Sequence, residues 1–259
     1  MKYIFSFFVA CFAFAIIIST TSCNKNTVAN QAVTDSLKVG LIAWYPFNNT
    51  GADSSHNGND AMIFNMASTA DRLGRANYAY AFNGASTYAV VNDNSTLRLS
   101  SGDFTLNAWV NLNSFNSTSG SFIASKRTSG INDGWGFSIT GYQSGLNIVG
   151  GVFFGPGGGN TNAAVSAKSI VAGKWNMVTV VYTASKQTVT MYINGVQDSN
   201  VTTSFPAPSS TITANMYIGT DNPINQTAYT MNGAIDDFRI YSRALNAATI
   251  QKLYTATNY

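Results

Sequence analysis

Two adjacent carboxylates, Asp236 and Asp237, lie inside the apolar run NGAIDDFRIYSRAL from Asn232 to Leu245, where a fully buried strand should carry no charge. On a two-residue period Asp236 shares a face with Phe238 and Ile240, and Asp237 points the other way. Such a carboxylate is tolerable as a ligand of a hard cation such as calcium, or as the partner of an arginine such as Arg239 or Arg243. For an isolated Asp-Asp pair the ion pair is the simpler reading. Hydrolytic chemistry finds little support. All 11 acidic residues are aspartates, and no strand pattern gathers a carboxylate pair able to flank one glycosidic bond. His56, the single histidine, sits in a polar loop without Cys, Glu or a second His, as expected of a surface turn residue rather than a general base or zinc ligand. No G-x-S-x-G elbow accompanies any serine. The run Gly155-Pro156-Gly157-Gly158-Gly159 lacks the Lys and Ser/Thr that a phosphate loop requires.

Recognition is better served than catalysis. Sugar rings stack their C–H patches on aromatic faces, and their hydroxyls pair with amides and carboxylates. Trp135, in the loop NDGWGF beside Asn132 and Asp133, offers both, with Tyr142 and Gln143 in the next turn and Tyr229 further on. Each could equally cover a sheet edge or fill the core. Trp44, Trp109 and Trp175 lie within strand patterns and are assigned to packing. Of the residues 45% are apolar and only 10% charged, with Asn, Ser, Thr and Gly making up the difference. A net charge of +3 with no basic run argues against nucleic acid.

The elements that must position these residues are β-strands. Phe104, Leu106, Ala108, Val110 and Leu112 alternate with polar neighbours, giving a strand with one core face and one wet face. Tyr78 to Phe82 and Thr87 to Val91 flank Asn83-Gly84, and Thr188 to Ile193 ends at Asn194-Gly195, both hairpin signals. Trp175 to Tyr182 is apolar on both faces, as a central strand should be. Only Ala244 to Tyr254 reads as a helix, with Ser242 as its cap. The expected fold is all-β, a two-sheet antiparallel sandwich with one short C-terminal helix.

Ahead of this domain (residues 41–259), residues 1–22 read as a signal peptide, with Lys2 followed by an apolar run from Tyr3 to Ile18. Ser22-Cys23 resembles the lipobox of bacterial lipoproteins, although the usual upstream leucine is missing. The resemblance implies that Cys23 is lipidated and enters the bilayer. Residues 23–40 then form the anchor and a flexible tether reaching about 20 to 25 Å. Cys11 leaves with the signal peptide, so no disulfide remains available. The expected location is the cell envelope, on the outer membrane, facing the periplasm or the outside.

Eight segments in order, AWYPF (43–47), DSSHNGN (53–59), AFNG (81–84) with Tyr88 to Val91, FTLNAWV (104–110), KWNMVTVVY (174–182), YING (192–195), YIG (217–219) and residues 233–245, resemble the laminin G-like jelly rolls of the concanavalin A-like lectin and glucanase superfamily. The resemblance implies a jelly roll, a glycan-binding face or rim, and a structural calcium held chiefly by Asp236, with Asp53 and backbone carbonyls of the Ser55 to Asn59 loop (Ser55, Asn57, Asn59) and of Gly84 completing an oxygen shell. Asp60, where a small residue is expected, is either an extra ligand or a solvated turn. The glutamates of the superfamily's glucanase branch are missing. Two functions remain: a non-catalytic, lipid-anchored module binding polysaccharide or glycan, with Asn132, Asp133, Trp135, Tyr142 and Gln143 as its site, or a structural domain that meets another envelope protein and binds no sugar.

Overall fold

The computed structural model describes residues 36–115, 120–128, 133–140, 150–155, 162–221 and 229–257. Among the described residues fifteen strands run in chain order: β1 Leu41–Tyr45, β2 Ala61–Phe64, β3 Ala67–Thr69, β4 Ala79–Asn83, β5 Tyr88–Val91, β6 Phe104–Leu112, β7 Ser121–Lys126, β8 Trp135–Thr140, β9 Gly150–Phe154, β10 Ala163–Val165, β11 Asn176–Thr183, β12 Thr188–Ile193, β13 Val196–Thr202, β14 Met216–Ile218 and β15 Asn232–Tyr241. One sheet has the order β13-β12-β11-β6-β15-β4-β3 with β1 also on β15, and the other the order β10-β9-β8-β7-β14-β5-β2. Every pairing is antiparallel. Between the sheets lies the main core, built from alternate residues such as Leu106, Val110, Ile123, Phe137, Ile218 and Phe238.

The first sheet is covered on both sides. Helix α1, Ala247–Thr255, starts where the Asn246 side chain accepts from the Thr249 N–H at 2.9 Å, so Asn246 and not Ser242 is the cap. Its buried Ile250 and Leu253 pack with Trp109, Met177, Val181 and Tyr192 on the outer face of that sheet. The polar face of β6 is consequently buried rather than wet, and Asn107 Nδ2 satisfies itself on Thr179 Oγ1 at 2.8 Å. Leu37 joins the same cluster, and Arg243 donates to the carbonyls of Ser36 and Val39, so the stretch expected to end a flexible tether is docked from Ser36 onward.

The two Asn-Gly turns part company. Asn194-Gly195 closes the hairpin β12–β13, both residues having positive φ as a type I′ turn demands. Asn83-Gly84 instead carries the chain from β4 in one sheet to β5 in the other. Asn83 Oδ1 accepts from the Ala85 and Ser86 N–H groups, and the Gly84 N–H donates to the Met231 carbonyl, so the turn is anchored to its surroundings and not to a partner strand.

Candidate functional site

β15 is flanked by β6 on one edge, while its other edge is shared end to end by β4, opposite Asn232 to Ile235, and β1, opposite Phe238 to Tyr241. At that junction the register against β6 slips between Asp236 and Arg239, and Asp237 takes a φ of 51°. This β-bulge breaks the two-residue period. Ile235, Phe238 and Ile240 keep the inter-sheet core, and both carboxylates converge on the opposite, outer face. Sequence periodicity placed Asp236 on the face of Phe238 and Asp237 on the opposite one; the extra residue of the bulge moves Asp236 to the outer face, where Asp237 was expected.

The carboxylates meet an arginine that is remote in sequence. Arg72 Nη1 lies 2.6 Å from Asp236 Oδ2 and 2.6 Å from Asp237 Oδ2, with all three side chains 3% exposed. Its Nη2 donates to the Ala256 carbonyl at 3.2 Å, and its guanidinium stacks on Trp109 at 4.9 Å. Asp237 Oδ1 also accepts from Trp44 Nε1 at 2.9 Å and Arg239 Nη2 at 3.2 Å. The ion-pair reading therefore holds for Arg239 but not for Arg243, which serves backbone carbonyls. Burial, and next the Asp237 charge, outweigh Arg72 and push Asp236 up to about 7. The cluster stitches together β15, β1, the segment before β4 and the end of α1.

The expected calcium ligands are not brought together. Asp236 is engaged by Arg72. Asp53 Oδ1 accepts from the Trp44 and Ser55 N–H groups and its Oδ2 from the Asn59 N–H, so it is the hub of its own loop. Ser55 Oγ, Asn57 Nδ2 and Asn59 Nδ2 all donate to the Ile42 carbonyl. Asp60 Oδ1 accepts from the Asp53 N–H and acts as a turn cap. The Gly84 carbonyl accepts from Thr230 Oγ1, beside Asn83, whose partner Asn232 stands four residues before Asp236, about 13 Å along the strand. Among the described residues no three acidic, His or Cys side chains gather around one point. The residues present do not fit the calcium site that the resemblance implied.

The stacking site also moves. Trp135 is 0% exposed, packs in the inter-sheet core and donates from Nε1 to the Leu97 carbonyl at 2.8 Å, so it cannot meet a ligand. Its loop context suggested exposure, but it is the first residue of β8 on the inward face. Asp133 Oδ1 accepts from the Thr128 N–H at 3.2 Å and braces the chain ahead of β8. Asn132, Tyr142, Gln143 and Cys23 lie outside the described residues.

Exposed aromatic surface occurs instead on the outer face of the second sheet. Ala61, Ala89, Val91, Met216 and Ile218 point inward, leaving Met62 and Phe64 of β2, Tyr88 and Val90 of β5 and Tyr217 of β14 on the other side. Phe64 and Tyr88 stack at 4.9 Å and 16°, and Tyr88 meets Tyr217 at 6.3 Å. Met62 and Phe64 are 48% and 38% exposed. Sequence reasoning missed this row because it assigned no strand to residues 61–64 and read Thr87 to Val91 only as one arm of a hairpin. The period-two pairing of Phe64 opposite Tyr88 shows only once their register is known.

A laminin G family model, described as the concanavalin A-like lectin/glucanases superfamily, matches residues 83–251, well over half of the chain. The chain belongs to this superfamily. No curated protein is a significant match by sequence. Among solved structures, this superfamily member is similar to domain 4 of AbnA, a GH43 extracellular arabinanase from Geobacillus stearothermophilus in complex with arabinotriose. The TM-score is 0.62 at 20% identity, covering 83% of this chain and 98% of that one. It is also similar to the binding domain of Paraclostridial Mosquitocidal Protein 1 (TM-score 0.63, 16% identity, 84% of this chain and 52% of that one). A third similar structure is the binding domain of botulinum neurotoxin DC in complex with SialylT (TM-score 0.58, 16% identity, 86% and 53%). The superfamily member thus spans about half the length of each toxin domain.

Proposed function

We propose that this chain is a non-catalytic glycan-binding module, held at the bacterial cell envelope through a lipidated Cys23, with the Phe64–Tyr88–Tyr217 row as its sugar platform. The observation that carries the reading is that row: Phe64 and Tyr88 stacked and partly exposed, with the buried Tyr217 tilted against Tyr88, on a sheet face that α1 leaves uncovered. Rings held in this way offer flat apolar faces to sugar C–H patches, with exposed Asn65 and Ser86 beside them in the chain to meet hydroxyls. The complexes of similar domains with arabinotriose and SialylT agree with an oligosaccharide ligand. The paired carboxylates support no hydrolysis, being buried and locked between Arg72 and Arg239.

Calorimetric titration of arabinotriose and a panel of neutral polysaccharides tests the reading. Loss of one stacking ring costs about 1 to 1.5 kcal/mol, so Phe64→Ala and Tyr88→Ala should each bind about tenfold more weakly than the wild type. Unchanged affinity in both variants removes the row from the site, and new reducing ends refute the non-catalytic reading. Met62, the most exposed side chain of the row, favours one second reading, contact with an envelope protein. That reading predicts no binding to any glycan.

A further inference from the structure

At the end of the sandwich where β1 and β6 begin, a cleft of about 460 Å³ opens between the Asp53–Asn59 loop and the segment 94–103. It lies apart from the aromatic row and shares no lining residue with it. Its walls are fixed by cross-links. Asn57 Nδ2 donates to the Leu41 and Ile42 carbonyls at 2.9 and 3.1 Å, and Asn94 Nδ2 to Asn59 Oδ1 at 2.8 Å, tying one wall to the other. A side chain at Leu99, held at a φ of 55° where glycine is the unstrained choice, supplies apolar floor.

We propose that this cleft is a second ligand site, taking a neutral, hydroxyl-rich unit such as one sugar residue or a polyol. The hydroxyls of Ser95, Ser100 and Ser101 line it and make no hydrogen bond with the other described residues, so they are available as donors and acceptors. Asp103 adds an acceptor. Its Oδ1 takes the Ala184 N–H at 2.8 Å, and its Oδ2 has no partner among the described residues. Among the described residues no Lys, Arg or His lines the cleft, so none of them balances a phosphate, sulfate or uronate. The volume falls within the usual range of ligand pockets, and its mixed polar and apolar lining matches a ring with both kinds of surface. The site is independent of the aromatic row. A glycan bound at both would gain from linkage without any new contact.

The experiment maps backbone amide shifts of the full chain in a sugar-free detergent, titrated with glycerol, arabinotriose and, as an anionic control, glucuronic acid. The expected result is saturable shifts across Ser95 to Asp103 with a neutral probe and none with glucuronic acid. Ser101→Trp, at an exposed position, should fill the cleft and weaken that binding about tenfold or more, whereas Phe64→Ala should leave it unchanged. Asp103→Asn keeps the acceptor for Ala184 and should retain neutral binding within a few-fold. If no neutral probe shifts these amides, if glucuronic acid shifts them equally, or if the response needs the Asp103 charge and is reproduced by ammonium alone, the proposal is overturned. Failure of the aromatic-row reading appears separately, as unchanged affinity in Phe64→Ala and Tyr88→Ala with the cleft shifts intact.

Discussion

Truncating Arg72 to alanine leaves two carboxylates at the bulge, each 3% exposed, without the cation that touches both. The variant loses two charge-assisted hydrogen bonds of 2.6 Å, the contact with the Ala256 carbonyl and the stack on Trp109. Removing one partner of a buried pair costs about 3 to 5 kcal/mol, mostly as the penalty of the charge left behind. For a domain of this size that lowers Tm by about 6 to 20 °C. The pH dependence has a definite sign. Asp236 is raised from 3.8 to about 7, so its contribution to stability is full below the unfolded pKa and is lost as the pH rises through about 7. Arg72 lowers that value, so its removal raises it further and deepens the loss where the unfolded chain is ionised. Denaturant melts should therefore show a larger deficit for Arg72→Ala at about pH 8 than at about pH 5. Arg72→Lys, which keeps the charge but not the planar fork, should fall between. A deficit below about 1 kcal/mol at pH 8, the size typical of an exposed pair, or one of equal size at both pH values, would refute the reasoning.

Other measurements follow from the same geometry. Trp135→Phe should cost about 1 kcal/mol through the lost bond to the Leu97 carbonyl, and Trp135→Ala about 3 to 5 kcal/mol through the cavity. Neither should change glycan affinity of the folded protein, and a selective affinity loss would return Trp135 to the site. Thermal melts in calcium and in chelator should coincide, because Asp53 and Asp236 already have protein partners; a calcium-dependent rise in Tm abolished by Asp236→Asn would reverse that. Under the lipoprotein reading, the wild type should enter the detergent phase and Cys23→Ala the aqueous phase, since stable anchoring needs more than one acyl chain. Equal aqueous partitioning would remove the anchor.

The sandwich was legible in the sequence because it rests on local signals, and the superfamily through the resemblance of eight ordered segments. The alternation from Phe104 to Leu112, the doubly apolar run ending at Tyr182 and the Asn194-Gly195 turn each declare a strand or a hairpin without reference to distant residues. So was the anomaly of Asp236 and Asp237, since charge inside an apolar run needs a partner wherever it lies. Which partner was a tertiary matter. Arg72 stands more than 160 positions away, and the bulge that turns both carboxylates toward it depends on β4 and β1 meeting end to end on β15. Periodicity has no means of registering an inserted residue. Tertiary structure likewise buried Trp135, because a tryptophan opening a strand can face either way until the opposing sheet fixes the choice. It also carried Asn83-Gly84 between sheets, because a turn pair specifies local backbone geometry and not the strand that will receive the chain. The aromatic row and the polar cleft belong wholly to this second category. Each gathers side chains from segments far apart in the chain, and only strand register and loop docking bring them to one surface.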